Sequence, residues 1–332
     1  ITPLLRVFRE RGLEPGSSRY ASGNVSGAIL ERHRALLDRL LEQAGEGGAD
    51  MAVAALNENS TVRREVAQLL ARRVRNFAGQ SALQKLLDLA KQENASNQYG
   101  YHAVSALGDT GDVIAERMLR ELAAASTPVR NNSLGQQSVA KQLAAISALG
   151  KVQPNAEVLT LLGRLVATND NKRIVRAAIR SLGNLGDASA IPIVLALITD
   201  WELNQSVARA LTQLGWEPDS DQAQVRFWVA SRDASSLRDA WELVRRELLI
   251  DVKSGERQVI HNALFAFIGI GNVDIIGDLV KILKEAGNLP LAEAYLNSGQ
   301  GDLNDAARAW AAARGYKITT GKGAHPVSWG RL

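Results

Sequence analysis

The chain has 332 residues, 46% hydrophobic and 22% charged, which is enough length and apolar content to bury a large core. Its 39 basic and 35 acidic residues leave a net charge of +4, mixed along the sequence rather than concentrated as in a dedicated nucleic-acid binder. With no cysteine, disulfides and thiolate chemistry are excluded. No apolar run reaches the roughly 18 residues needed to span a bilayer.

Residues 1–57 predict an irregular helical N-terminal cap: a short helix near Leu4 to Phe8, a Gly/Pro/Ser break, a longer helix from Ala28 to Ala44 and a short one from Asp50 to Leu56. Paired helices follow. Thr61 to Val74 pairs with Ser81 to Gln92, Asn97 to Leu107 with Val113 to Ala125, and Gln137 to Leu149 with Ala156 to Ala167. The clearest pair spans residues 171–200. Ile174, Val175, Ala178 and Leu182 make one apolar stripe, and Gly183 and Gly186 end the helix and permit a left-handed turn. Asp187 or Ser189 then caps the next helix, with Pro192 in its first turn. A fifth pair runs from Asn204 to Ala230. Residues 235–252 read as one helix, half of a degenerate repeat; Glu256 to Ala286 is the next pair, and Leu291 to Ala313 closes the array. Residues 317–332 read as an extended C-terminal tail.

The helix pairs are divided by similar breaks: LGDTGD, LGKVQP, LGNLGD, LTQLGW, FIGIGN and YLNSGQ. Their fifth positions fall at 111, 153, 186, 215, 271 and 299, in steps of 42, 33, 29, 56 and 28. The longest step is two repeats of 28. A period near 30 with two helices per period predicts an all-α, right-handed α-α superhelix of six or seven helix pairs over residues 58–316, degenerate around 217–255.

The run VRAAIRSLGNLGDASAIPIVLALI, with Arg176, Ala177-Ala178, Leu182-Gly183, Gly186-Asp187, Ala190 and Pro192, resembles the HEAT repeat in the short bacterial form also found in phycobilisome-lyase-like proteins. SALGDTGD, Ser105 to Asp112, repeats its core. The resemblance implies scaffolding or partner binding on a curved helical surface, and no activity of its own. It also implies that the second helix of each pair lines the concave face.

Catalytic and metal chemistry finds little support in the residues. His33, His102, His261 and His325 are far apart, and the His-Glu pairs of HEAT-repeat metalloenzymes of the deoxyhypusine hydroxylase type are absent. Gly269-Ile-Gly271 lies between helices without the third glycine of a dinucleotide fingerprint. Gly321-Lys322-Gly323 lacks the following Ser/Thr of a phosphate loop. Asp109 and Asp112 flank a helix-ending turn, where aspartate is an ordinary capping residue. The expectation is no catalytic residue, no metal and no cofactor.

Binding residues are easier to nominate. By helical phase, Arg117, Arg120, Arg164 and Arg226 project from second helices, with Trp216 nearby, as a contact surface for a protein or peptide partner, an acidic one among the alternatives. Arg63, Arg64, Arg72, Arg73 and Arg75 crowd one helix and its ends, and would contact phosphates if the chain binds nucleic acid, as the HEAT surface of alkylpurine DNA glycosylases does. Trp228, Trp241 and Trp310 read as core; Trp201 and Trp216, at helix ends, are open to either role. The leading function is therefore a non-catalytic scaffold, with nucleic-acid binding second and a lyase acting on a chromophore third. A cytoplasmic location is expected. The first residue is Ile1 rather than Met, which leads us to expect an upstream segment, a signal or anchor among the alternatives.

Overall fold

The computed structural model describes residues 67–68, 70–72, 74–75, 80–91, 98–125 and 133–319. The expected cap over 1–57, Arg63, Arg64, Arg73, Trp329 and the tail from residue 320 lie outside them. Among the described residues every regular element is a helix, and the architecture is all-α. The chain divides into two compact units, Ile1–Ser181 and Leu182–Leu332.

The first unit contains α1 (Gln80–Lys91), α2 (Gln98–Leu107), α3 (Val113–Ala124), α4 (Ser133–Leu149), α5 (Ala156–Thr168) and the start of α6 (Lys172–Leu185). Amphipathic spacing explains them. Leu83, Leu86, Leu87 and Ala90 of α1 are buried, whereas Gln84, Asp88 and Lys91 between them are exposed. Asp112 caps α3 by accepting from the Ile114 and Ala115 N–H groups at 2.7 and 3.2 Å. Asn155 caps α5 through the Val158 N–H at 3.0 Å. The far end of α3 is closed from α4: buried Gln142 donates to the carbonyls of Ala123 and Ala125 at 2.9 and 3.0 Å.

The second unit takes the end of α6, a 3-10 turn (Ala188–Ala190), α7 (Ile191–Leu195), α8 (Asn204–Gln213), α9 (Asp221–Ser231), α10 (Ala234–Asp239), α11 (Trp241–Val252), α12 (Arg257–Ile270), a second 3-10 turn (Val273–Ile275), α13 (Ile276–Ala286), α14 (Leu289–Leu296) and α15 (Gly301–Ala313). Asp187, rather than Ser189, is the cap, accepting the Ser189 N–H at 2.9 Å, and Pro192 sits in the first turn of α7. Val225, Leu248, Phe267, Leu279 and Leu283 form the centre of the core. Tyr295 is fully buried there with its hydroxyl donating to the Leu279 carbonyl at 2.8 Å, and burial pushes its phenol far above the ordinary range. Counted along the chain, the helices from Gln98 to Ala313 make seven pairs, with α1 as the second helix of an earlier one.

The recurring breaks have a physical explanation position by position. The first residue is always a buried apolar anchor: Leu107, Leu149, Leu182, Leu211, Phe267 and Tyr295 are each no more than 1% exposed. The second is glycine where the following pair comes too close for a side chain. A Cβ on Gly108 would lie 2.4 Å from the Ala148 carbonyl oxygen, one on Gly150 2.9 Å from the Ser181 Cα, and one on Gly183 2.8 Å from the Ala210 Cα. The fifth is left-handed glycine at 111, 186, 215, 271 and 299, with φ between 69° and 78°. LGKVQP has glutamine there and turns by another route, through Pro154 into the Asn155 cap.

Residues 235–252 do not form one helix as expected. The chain reverses after α9 at Arg232, the non-glycine residue with a left-handed backbone (φ 58°), and then forms two helices that meet at Ala240. The long 56-residue step therefore holds two pairs, α10 being a first helix cut to six residues. Its neighbours close over the gap. Asn204 of α8 donates to Asn262 of α12 at 3.1 Å, both buried, and Trp201 stacks on Phe265 at 4.8 Å. The Arg232 guanidinium covers the other face of this cluster, 5.1 Å from the Trp201 ring.

The two kinds of glycine should respond differently to substitution. Gly108→Ala forces backbone apart and is expected to cost about 1–3 kcal/mol. Gly111→Asn, in open space and in a conformation asparagine tolerates, is expected to cost under about 1 kcal/mol. Denaturant midpoints of the two variants test the order.

Candidate interaction surface on the second helices

In the first unit the nominated arginines separate into two kinds. Arg120 of α3 is ion-paired to Glu157 of α5 and lies 3.4 Å from Glu116 on its own helix. It therefore ties two second helices together. Arg117 and Arg164 are exposed and form no ion pair among the described residues. Asp109 and Asp112 are structural: Asp109 pairs with Lys151 at 2.9 Å and Asp112 caps α3. Of the basic cluster, Arg72 and Arg75 are described, and both are exposed.

In the second unit Arg226 of α9 grips Asp251 of α11 with two bonds, Nε to Oδ2 at 3.0 Å and Nη2 to Oδ1 at 2.6 Å. Asp251 is 1% exposed, and Gln222 donates to it as well, at 3.0 Å. The Asp251 hydrogen bond raises the guanidinium pKa against partial burial. Arg226 is thus committed to holding a buried carboxylate. Trp216 is half-buried, its ring 5.6 Å from that of Phe227. Trp310 is buried, and Trp201, Trp228 and Trp241 pack against the core.

A groove of about 700 Å³ lies between α11 and α13 in this unit. Arg245 of α11 reaches Asp278 of α13 at 2.5 Å, and Arg246 bonds Asp221 of α9 at 2.6 Å and its neighbour Glu247 at 2.7 Å. Arg226 reaching in from α9, Arg246 reaching back to α9 and Arg245 reaching to α13 show α11 to be a second helix flanked by two others. Four aliphatic residues, Leu243, Leu249, Ile250 and Ile282, line the groove among charged side chains, and Ile250 is 52% exposed. Glu242 lies toward the start of α11 with its side chain 85% exposed. Lys253, at the other end of α11, is exposed and forms no ion pair among the described residues.

Sequence reasoning missed this groove, yet it left a signal. In WELVRRELLIDV the stripe Val244, Leu248 and Val252 is buried as the spacing predicts, but Glu247 and Asp251 are buried beside it while Ile250 faces solvent. Acids on the inner face and isoleucine on the outer one mark a helix whose polar groups are used by neighbours and whose apolar group is free.

His261 of α12 is half-buried edge-on to Phe265, and burial followed by the charge of Arg257 lowers its pKa against the opposing pull of Glu293. Among the described residues no three His, Cys, Asp or Glu side chains are grouped so as to hold a metal ion, and no helix is long and apolar enough to cross a membrane.

Residues 128–212 match the family model of HEAT repeats. The match includes the segment 171–200, whose sequence shows the pattern most fully. No curated protein matches the chain.

The paired and unpaired arginines should be separable by stability. Arg226→Ala strands the buried Asp251 carboxylate and is expected to cost about 2–4 kcal/mol, somewhat below a wholly buried pair because the guanidinium is partly solvated. Arg117→Glu and Arg164→Glu should stay within about 0.5 kcal/mol of the parent. Thermal and denaturant unfolding read both. A lowered histidine pKa means the unfolded chain takes up the proton first. The His261 contribution is then fully present above the ordinary histidine range and lost as pH falls through it. His261→Gln should flatten the acid side of the stability profile.

Proposed function

We propose that this HEAT-repeat chain is a non-catalytic scaffold that binds a protein or peptide partner along its second helices. HEAT repeats are generally protein-interaction scaffolds. The observation that supports the reading here is the α11–α13 groove, where an exposed isoleucine stands on a surface whose arginines are already neutralised. An exposed aliphatic side chain set in a groove offers an apolar seat to a partner's side chain. In the first unit, Arg117 and Arg164 are the corresponding unpaired positions on second helices.

Nucleic-acid binding draws less support. Arg120, Arg226, Arg245 and Arg246 are held by carboxylates, so they offer little net field to a phosphate backbone. Arg72 and Arg75 are the described members of the basic cluster that this reading would use, and both are exposed.

Affinity capture with the tagged chain, with and without nuclease, tests the reading when run on three forms. The parent should retain a protein partner after nuclease. Ile250→Asp, or Arg117→Glu combined with Arg164→Glu, should reduce that partner by about tenfold or more while unfolding temperature is unchanged. Loss of every partner on nuclease treatment sinks the scaffold reading and makes Arg72 and Arg75 the first targets. A chromophore retained through purification, visible by absorbance, would favour the lyase alternative.

A further inference from the structure

The charges around the α11–α13 groove are ordered, and their order narrows the partner. The middle of the groove is electrically closed. Arg245 is paired with Asp278, and Arg246 is shared by Asp221 and Glu247. Lys281 has Glu285 within 3.9 Å on its own helix. On α11 what stays open is one carboxylate, one ammonium and the aliphatic residues between them, while on α13 Lys281 and Glu285 form a loosely held, exposed pair of no net charge. Glu242 has only a distant contact with Arg245, at 3.8 Å, and is the most exposed side chain of the set. Lys253 has no ionic partner among the described residues. Eleven residues separate the two along one helix, a rise of about 16 Å. Leu249 and Ile250 lie between them, with Ile282 opposite.

We propose that this groove receives a short segment of a protein partner in which a basic residue, an aliphatic or aromatic residue and an acidic residue follow one another along about 16 Å. The basic residue faces Glu242, the apolar side chain seats on Leu249, Ile250 and Ile282, and the acidic residue faces Lys253. The inference rests on the scaffold reading and specifies its partner. A polyanion is disfavoured because the central arginines would have to give up carboxylates they already hold. A purely apolar segment would leave the two end charges unused. The order of charges fixes the direction in which the segment lies.

Glu242 and Lys253 also suit the dipole of α11, an acid in the first turn and a base at the C-cap. That role alone predicts a loss of stability on charge reversal and no effect on which segments bind, so the two roles part in one experiment.

The probe is a displayed library of random peptides of ~12 residues, selected on the full chain and on its variants. The parent should enrich segments with the basic, apolar, acidic order. A synthetic peptide of that consensus should bind Ile250→Asp about 10- to 100-fold more weakly than the parent. The double variant Glu242→Lys with Lys253→Glu should enrich the opposite charge order. Affinity should change by less than about threefold between low and moderate salt, because two charges are involved rather than a row of phosphates. Enrichment of polyacidic segments, unchanged binding by Ile250→Asp, the same consensus from the double variant, or no enrichment at all would each overturn the inference. None of these touches the scaffold reading, which stands or falls with nuclease-resistant capture. Should Ile250→Asp lose helical circular dichroism, Ile250→Ser serves in its place.

Discussion

A helix of ten to fourteen residues cannot bury its apolar stripe alone, so each pair here depends on the approach of the next. That approach is limited by backbone rather than by side chains. At Gly108, Gly150 and Gly183 the neighbouring chain comes within a distance that leaves no room for a methyl group. Beside each of these glycines is a leucine buried almost completely. The contact is therefore a paired device: an anchor that seals the core and a bare backbone that lets the next helix reach it. Where the second position is Thr212, Ile268 or Leu296 instead, the breaks keep their anchor and their left-handed glycine. Burial of the anchor is thus the invariant, and close backbone approach is one way to achieve it.

A second, polar layer of attachment runs over the second helices. Arg120 to Glu157, Arg226 to Asp251 and Arg245 to Asp278 each cross from one second helix to the following one. The three differ in burial. Asp251 is inside the protein, so its arginine is needed for charge compensation, while Glu157 and Asp278 keep access to water. This layer decides which basic residues remain available. Arginines chosen by helical phase alone include both the tied and the untied, because phase says which side a residue is on and not what it meets there. Arg117 and Arg226 illustrate the two outcomes.

Much of the fold was legible in the sequence because it rests on local rules. Apolar spacing, the Leu-Gly and Gly-Asp pairs and the position of Pro192 each act within a few residues, and the helices from Gln98 to Thr168 follow them closely, whereas in 171–200 the first helix runs through Gly183 to Leu185 and the second is only Ile191–Leu195. The failure at 235–252 has a specific cause. A short helix followed directly by another keeps a continuous helical phase, and Ala240 carries no glycine or proline to mark the joint. The left-handed residue that makes the reversal is Arg232, whose identity gives no hint of its backbone. The groove was illegible for a different reason. Its floor depends on which residues of α13 oppose α11 across 25 or more intervening residues, and only the inverted burial of Glu247, Ile250 and Asp251 betrays it in one dimension.

The shortened α10 bears on how such a chain can change over time. Between α8 and α12, the first-helix side has lost most of one helix and healed through Asn204, Asn262, Trp201 and Phe265. Opposite it, α9, α11 and α13 still follow one another at full length, joined by their arginines. At this point in the chain the shortening falls on the first-helix side. The sequence period is what suffers, while the series of helices that carries the groove stays unbroken. A first helix can therefore be short enough to hide the repeat in the sequence while the second helices on either side of it keep their length, which separates the regularity of the repeat from the continuity of the groove it presents.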